Sequence, residues 1–322
     1  MLLKEMAKSV MLGILINDYW NKNNILFFIE DKMKEFEINI FDAHIHTEFE
    51  GTPDHFSGII ASLDSFRESI NGLNFVGALS DSAIPSQNHG DLRKYRIYHC
   101  AVVRDLNYDI EHIARKIISG EVYAIKINVG FIHRYASDAL FQPLYILAEK
   151  LNVPIMFHSG DPGWPHAKVK YADPVSFDEV VVDYPNVKFV LVHAGNPWFQ
   201  SAAVVAAKNN NVFLEGSSLI DGDTRACSDE RAKRLISNPL SWIIDYLGSS
   251  EKLLFGSGWP MVDLKSYIDI FRQGIPEQAW KDVFCDNALK LYGLVMEKES
   301  DGKLICVPKC QRKNSNNVHC SS

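Results

Sequence analysis

Short apolar runs rich in β-branched and aromatic residues recur along the chain, and between them apolar positions fall at helical spacing. Reading the runs as strands predicts eight, at residues 38–44, 74–79, 96–103, 122–127, 153–157, 187–192, 212–215 and 252–255. Helical patterns fill 56–70, 110–118, 139–151, 175–184, 201–208 and 229–247, and another covers 276–292 after the last strand. Strands that alternate with helices form a parallel sheet, because a parallel neighbour is reached only through a crossover. Eight such units in one unbroken series predict an α/β fold closed as a (β/α)8 TIM barrel rather than an open sheet. Ile155-Met156-Phe157 and Phe189-Val190-Leu191-Val192 are apolar at consecutive positions, as expected of strands covered on both faces.

The barrel is predicted to span residues 38–296, between an N-terminal helical extension over 1–37 and a tail over 297–322. The apolar stretch at 10–16 has no small-residue cleavage site and runs into Asn17-Asp18, so it reads as an amphipathic helix. The tail turns polar and charged and is expected to be disordered, outside the packed domain. Cys306 and Cys310 with His319 and Cys320 are zinc-ligand types, but their spacing fits no standard site.

With 322 residues, 47% hydrophobic and 23% charged, the chain has ample material for one large core. A net charge of -7 without long runs of one sign gives no electrostatic footprint for nucleic acid. No apolar run is long enough to span a bilayer, so no membrane partner is expected. Six irregularly spaced cysteines predict free thiols and a reducing compartment, the cytoplasm.

Chemistry concentrates where the predicted strands end. The first strand closes with His44-Ile45-His46; side chains two apart on a strand point the same way, so both imidazoles can reach one ion. The fourth ends in Lys126, the fifth in His158 and the sixth in His193. In (β/α)8 barrels the working groups sit at these C-terminal ends. Trp164, Trp198 and Trp259 follow the fifth, sixth and eighth strands, where they could stack on a flat substrate. Arg134 follows the fourth, with a guanidinium suited to a substrate carboxylate.

DAHIH at 42–46, FHSGD at 157–161, VHAGNPW at 192–198, the Gly-Ser-x-Trp-Pro stretch at 256–260 and the DNALKLYGL ending at 286–294 occur in this order. Together they resemble the amidohydrolase-related family of the amidohydrolase superfamily, which includes metal-dependent hydrolases, lactonases and non-oxidative decarboxylases. The resemblance implies a divalent metal, with zinc foremost and manganese or iron as alternatives, held by His44, His46 and His158. It makes His193 a further ligand or the catalytic acid and base. It also places Lys126 where binuclear members carry a carboxylated, metal-bridging lysine; the other reading is a plain lysine that binds an anion or closes the barrel end with an ion pair.

Where the family usually has Gly-Ser-Asp after the eighth strand, this chain has Gly256-Ser257-Gly258. The resemblance therefore implies the loss of a metal-bound carboxylate that also handles a proton. Asp161, Glu215, Asp221, Asp223 and Asp263 are available replacements, but loops and helix caps also use such carboxylates. The expected activity is metal-dependent hydrolysis of an amide, ester or lactone bond in a small, carboxylated molecule. Alternatives are non-oxidative decarboxylation, a di-metal oxidative reaction through Lys126, and a non-catalytic barrel subunit. A homodimer, or a pairing with an active paralogue, is the expected assembly.

Overall fold

The computed structural model describes residues 38–82, 91–299 and 302–309; the predicted N-terminal extension and residues 310–322 lie outside them. Eight parallel strands follow one another in chain order: β1 Asn39–Ile45, β2 Asn74–Ser80, β3 Ile97–Val103, β4 Val122–Ile127, β5 Ile155–His158, β6 Phe189–Val192, β7 Val212–Glu215 and β8 Leu253–Leu254. Chain leaving β8 meets β1 through Ala43 N–H to Phe255 O at 3.0 Å, Gly258 N–H to His44 O at 2.8 Å and His46 N–H to Trp259 O at 2.7 Å. These bonds bring the two ends of the sheet together as a barrel.

Alternate strand residues serve two cores, as a pleated strand requires. Outward-facing Ile40, Phe75, Ile97, Ile125, Phe157 and Leu191 pack under the helices. Phe41, Val76, Tyr98, Cys100, Met156 and Leu254 fill the inside of the barrel. The helical layer includes α1 Leu63–Ser69, α2 Ile110–Ile118, α3 Gln142–Leu151, α4 Asp178–Asp183, α5 Phe199–Lys208, α6 Asn238–Leu247, α7 Leu264–Gln273 and α8 Asn287–Tyr292.

Three elements differ from their sequence expectation. The helix predicted from residue 56 begins at Leu63, because the Ser62 hydroxyl caps it by accepting from Ser65 N–H, and residues before it form a loop with Gly58 at φ +73°. Helix α7 was not read from the sequence; Asp263 caps it by accepting from Ser266 N–H. The third difference is in the tail, where β9 Leu294–Lys298 and β10 Leu304–Pro308 form an antiparallel hairpin.

This hairpin corrects the expectation of disorder for residues up to 309. Cys306 is 1% exposed, its thiol bonds to Val76 O at 3.1 Å, and Tyr98 Oη donates to Cys306 O at 2.8 Å. The run Leu304-Ile305-Cys306-Val307 is short and only Cys306 in it is fully buried, so the open end of the barrel, not the run itself, reveals why this segment is ordered.

Candidate metal centre

At the other mouth of the barrel, His44, His46, His158 and His193 converge. Ring centroids lie 5.0 Å apart for His44 and His46, 5.3 Å for His44 and His193, and 4.7 Å for His158 and His193. Each ring is aimed by its strand. His44 and His46 share the inner face of β1 and its extension while Ile45 faces out; His158 ends β5. His193 leaves β6 with φ +61°, followed by Ala194 at +48°, a left-handed turn disfavoured for L-residues. Strain of this kind is held by surrounding structure and is common at functional sites.

Two carboxylates unassigned by the histidine pattern complete the group. Asp81, just past β2, lies 3.0 Å from His44 Nε2 and 3.6 Å from His46 Nδ1. Glu215, at the end of β7 and 0% exposed, pairs through Oε2 with His44 Nδ1 at 3.1 Å. The Ser217 hydroxyl donates to Glu215 Oε2 at 2.9 Å and lies 2.8 Å from His44 Nδ1. Glu215 is therefore an interior partner of His44 and not a loop or capping carboxylate. Asp223 and Asp263, in contrast, do cap helical turns.

Lys126 is 1% exposed, and its ammonium forms an ion pair with Asp81 and lies 3.1 Å from His44 Nε2. Of its two sequence readings, the structure displays the ion pair that closes the barrel end. A bridging role would require that pair to break.

Electrostatics sort these groups. Burial and the Lys126 ammonium act to lower the His44 pKa, but Asp81 and Glu215 outweigh them and hold it above its ordinary value. Burial tends to raise Asp81, yet Lys126, His46 and His44 bring it well below the usual carboxylate range. Glu215 is also lowered, since His44 and Ser217 overcome its burial. Burial lowers His158 well below its ordinary value and His193 to about 3, with neighbouring positive groups adding to both shifts. The Ser217 carbonyl, which can only accept, receives a hydrogen bond from His193 Nδ1–H at 3.0 Å, so the lone pair of this neutral ring is on Nε2.

The donor set fits a divalent cation. His44, His46 and Asp81 offer atoms within 4.8 Å of one another, as do His44, His193 and Glu215. Asp81 Oδ1, Glu215 Oε1 and His158 Nδ1 are buried without hydrogen-bond partners. With His44 neutral, as a metal ligand must be, two ionised carboxylates against one ammonium would leave the buried cluster negative. Glu215 against Nδ1 would hold a neutral His44 with its Nε2 lone pair toward Asp81, the carboxylate support that metal-bound histidines ordinarily receive.

Gly258 occupies left-handed backbone at φ +76°, and a Cβ there would collide with the Ser218 hydroxyl. Gly256 is constrained by space alone, because a Cβ would strike Glu215. Asp42, adjoining this turn, is 0% exposed and accepts from Ser257 N–H at 2.9 Å and Ser257 Oγ at 2.6 Å. Burial outweighs these donors and raises it to about 7. Asp42 thus ties the β1 end to the turn after β8.

The cluster forms the floor of a cavity of about 770 Å³ whose wall includes Arg104, Asn128, Phe131, Asp161, Trp164 and Asp221. Two sequence expectations for substrate contacts need correction. Trp259 is 0% exposed, bridges Ile45 and packs on Phe66 with centroids 5.1 Å apart, because its register places it on the outer face. Arg134 pairs with Asp138 at 3.4 Å beyond a left-handed His133 that turns the chain away, and Arg104 lines the cavity instead. Asp81, Arg104 and Asn128 follow β2, β3 and β4, so the strand-end criterion could have found them had it been applied beyond histidine and lysine.

The family model for Amidohydrolase matches residues 61–294. No curated protein matches the chain. Among solved structures, an uncharacterised TIM-barrel protein from Bordetella bronchiseptica is 18% identical, with a TM-score of 0.60 over 79% of this chain and 98% of that one. A probable 2-pyrone-4,6-dicarboxylic acid hydrolase from Acinetobacter baumannii is 17% identical, with a TM-score of 0.58 over 80% and 99%. A dihydroxybenzoic acid decarboxylase from a Polaromonas species, solved with bound manganese, is 15% identical, with a TM-score of 0.56 over 79% and 96%. These neighbours share the fold, and the family match covers most of the barrel together with the strand ends bearing Asp81, Lys126, His158, His193 and Glu215: the chain belongs to the amidohydrolase family.

Proposed function

We propose that the protein is a metal-dependent hydrolase that cleaves an amide, ester or lactone bond in a small carboxylated molecule. The observation that carries this reading is His44, tied through Nδ1 to buried Glu215 and turned through Nε2 toward Asp81 and His46 at the cavity floor. His44, His46 and Asp81 would hold the cation, with His158 and His193 beside them. A divalent cation in such a site polarises a carbonyl oxygen and lowers the pKa of bound water to about 7.

The remaining steps belong to the chain. The His193 Nε2 lone pair takes a proton and returns it to the leaving group, while Ser217 O holds the ring in the required tautomer. Lys126 keeps Asp81 ionised. Arg104 lies 3.7 Å from Glu48 and 3.9 Å from Asp81, contacts too long to saturate it, and half of its side chain remains open to receive a substrate carboxylate. Trp164, set edge-on to Phe56 with centroids 6.3 Å apart, supplies an apolar wall.

Non-oxidative decarboxylation is the second reading, supported by the likeness to dihydroxybenzoic acid decarboxylases. It would place the same groups against a carboxylate. Metal analysis of protein purified without chelator, followed by assays of lactones, esters and aromatic acids, tests both. Bound metal with water consumption supports hydrolysis, carbon dioxide release supports decarboxylation, and absence of metal favours a non-catalytic barrel. Glu215→Gln is expected to weaken metal affinity by about 10–100-fold, measured by calorimetry; unchanged affinity would remove Glu215 from its supporting role.

A further inference from the structure

Asn128 has no role in the chemistry above, yet its setting is unusual. It follows β4 directly, two residues beyond Lys126, so the pleat directs both side chains toward the barrel mouth. It lines the cavity and is only 6% exposed. Phe131, from the short helix Val129–Ile132 that Asn128 precedes, sets its ring 5.9 Å from that of His158, which places this turn beside the histidine cluster.

Asn128 is the N-cap residue of that short helix, where an asparagine side chain ordinarily accepts a hydrogen bond from the first turn. Here it makes no such bond. Its backbone is already satisfied, with N–H donated to Val103 O at 3.0 Å and C=O accepting from Phe131 at 2.9 Å and Ile132 at 3.1 Å. The side-chain Oδ1 is buried without a hydrogen-bond partner. A buried amide oxygen left unpaired disfavours folding, so neither the local turn nor the core explains an asparagine at this position.

We infer that Asn128 is a specificity-determining residue, whose carboxamide hydrogen-bonds a hydroxyl or N–H group carried by the substrate beside its reacting carbon. Oδ1 accepts and Nδ2 donates, so the pair selects a group with a hydrogen to give. A carboxylate alone would leave Oδ1 unmet; Arg104 is the cavity's partner for that charge. This inference rests on the carboxylated substrate proposed above.

The test uses full-length, manganese-loaded protein and two probes, 2-hydroxybenzoate and benzoate, with affinities measured by calorimetry. Wild type is expected to prefer the hydroxylated acid by about tenfold, and Asn128→Ala to abolish the preference while leaving benzoate affinity unchanged. A preference that survives the substitution overturns the inference. Thermal unfolding supplies a readout independent of ligand. Asn128→Ala should match or exceed the wild-type Tm, whereas a fall of several degrees would reveal a structural partner for the amide and overturn the inference. If neither acid binds wild type, the carboxylated-substrate reading fails, and the Tm comparison alone decides the role of Asn128.

Discussion

Gly258 links two questions at the residue scale: why a glycine stands after β8, and whether an aspartate could replace it. Its φ of +76° lies in backbone that L-residues avoid, and Ser218, itself at φ +44°, fills the space a Cβ would need. Gly258→Asp is therefore expected to destabilise the fold by about 1–3 kcal/mol, measured by urea unfolding. Unchanged stability would show that the turn relaxes freely. The glycine itself was legible as a departure from the family pattern; its constraint was not, because Ser218 is distant in sequence and reaches it only through the β7 and β8 loops. Glu215 stood among several candidate carboxylates, and its role was hidden for the same reason: one carboxylate at a strand end looks like many others until His44 is found against it.

Among elements, the hairpin of β9 and β10 has the clearest consequence. It closes the barrel end opposite the histidines, with Cys306 against Val76 and Tyr98. Burial raises the thiols of Cys285 and Cys306 to about 12 and also raises that of Cys100, while Cys227 is partly exposed. Native protein treated with a thiol reagent at pH 8 should modify Cys227 before these three, as read by peptide mass mapping. Early labelling of Cys306 would show that the hairpin opens. The eight strands were readable because each has a continuous run covered on both faces. The hairpin was not, since its burial depends on a surface supplied by other strands.

For the whole molecule, titration of buried groups predicts how stability follows pH. Among the described residues, burial lowers His46, His99, His158 and His193 below the ordinary imidazole value of 6.5. Between the folded and unfolded values the unfolded chain binds the extra protons, so stability present above pH 6.5 is lost as the pH falls. Asp42 and Asp221, raised mainly by burial to about 7 and about 6, act in the opposite sense. His44 is raised and costs stability only as the pH rises beyond 6.5. Four imidazoles against two carboxyls leave a net loss toward acid, with each net proton worth about 1.4 kcal/mol per pH unit where the difference is complete. Metal-free protein should therefore show a lower Tm at pH 5 than at pH 7; a flat or rising profile would mean that these rings protonate within the fold.

Alternation of apolar runs with helical spacing determined the barrel, because each run had to be buried on two faces and each crossover needed a helix. The polar residues ending those runs determined which mouth holds the chemistry. Tertiary structure decided the rest: Asp81 and Glu215 against His44, Lys126 as an ion-pair partner, Trp259 outward and Arg104 inward. Those outcomes depend on strand register and on distances between residues far apart in the chain, which local periodicity does not encode.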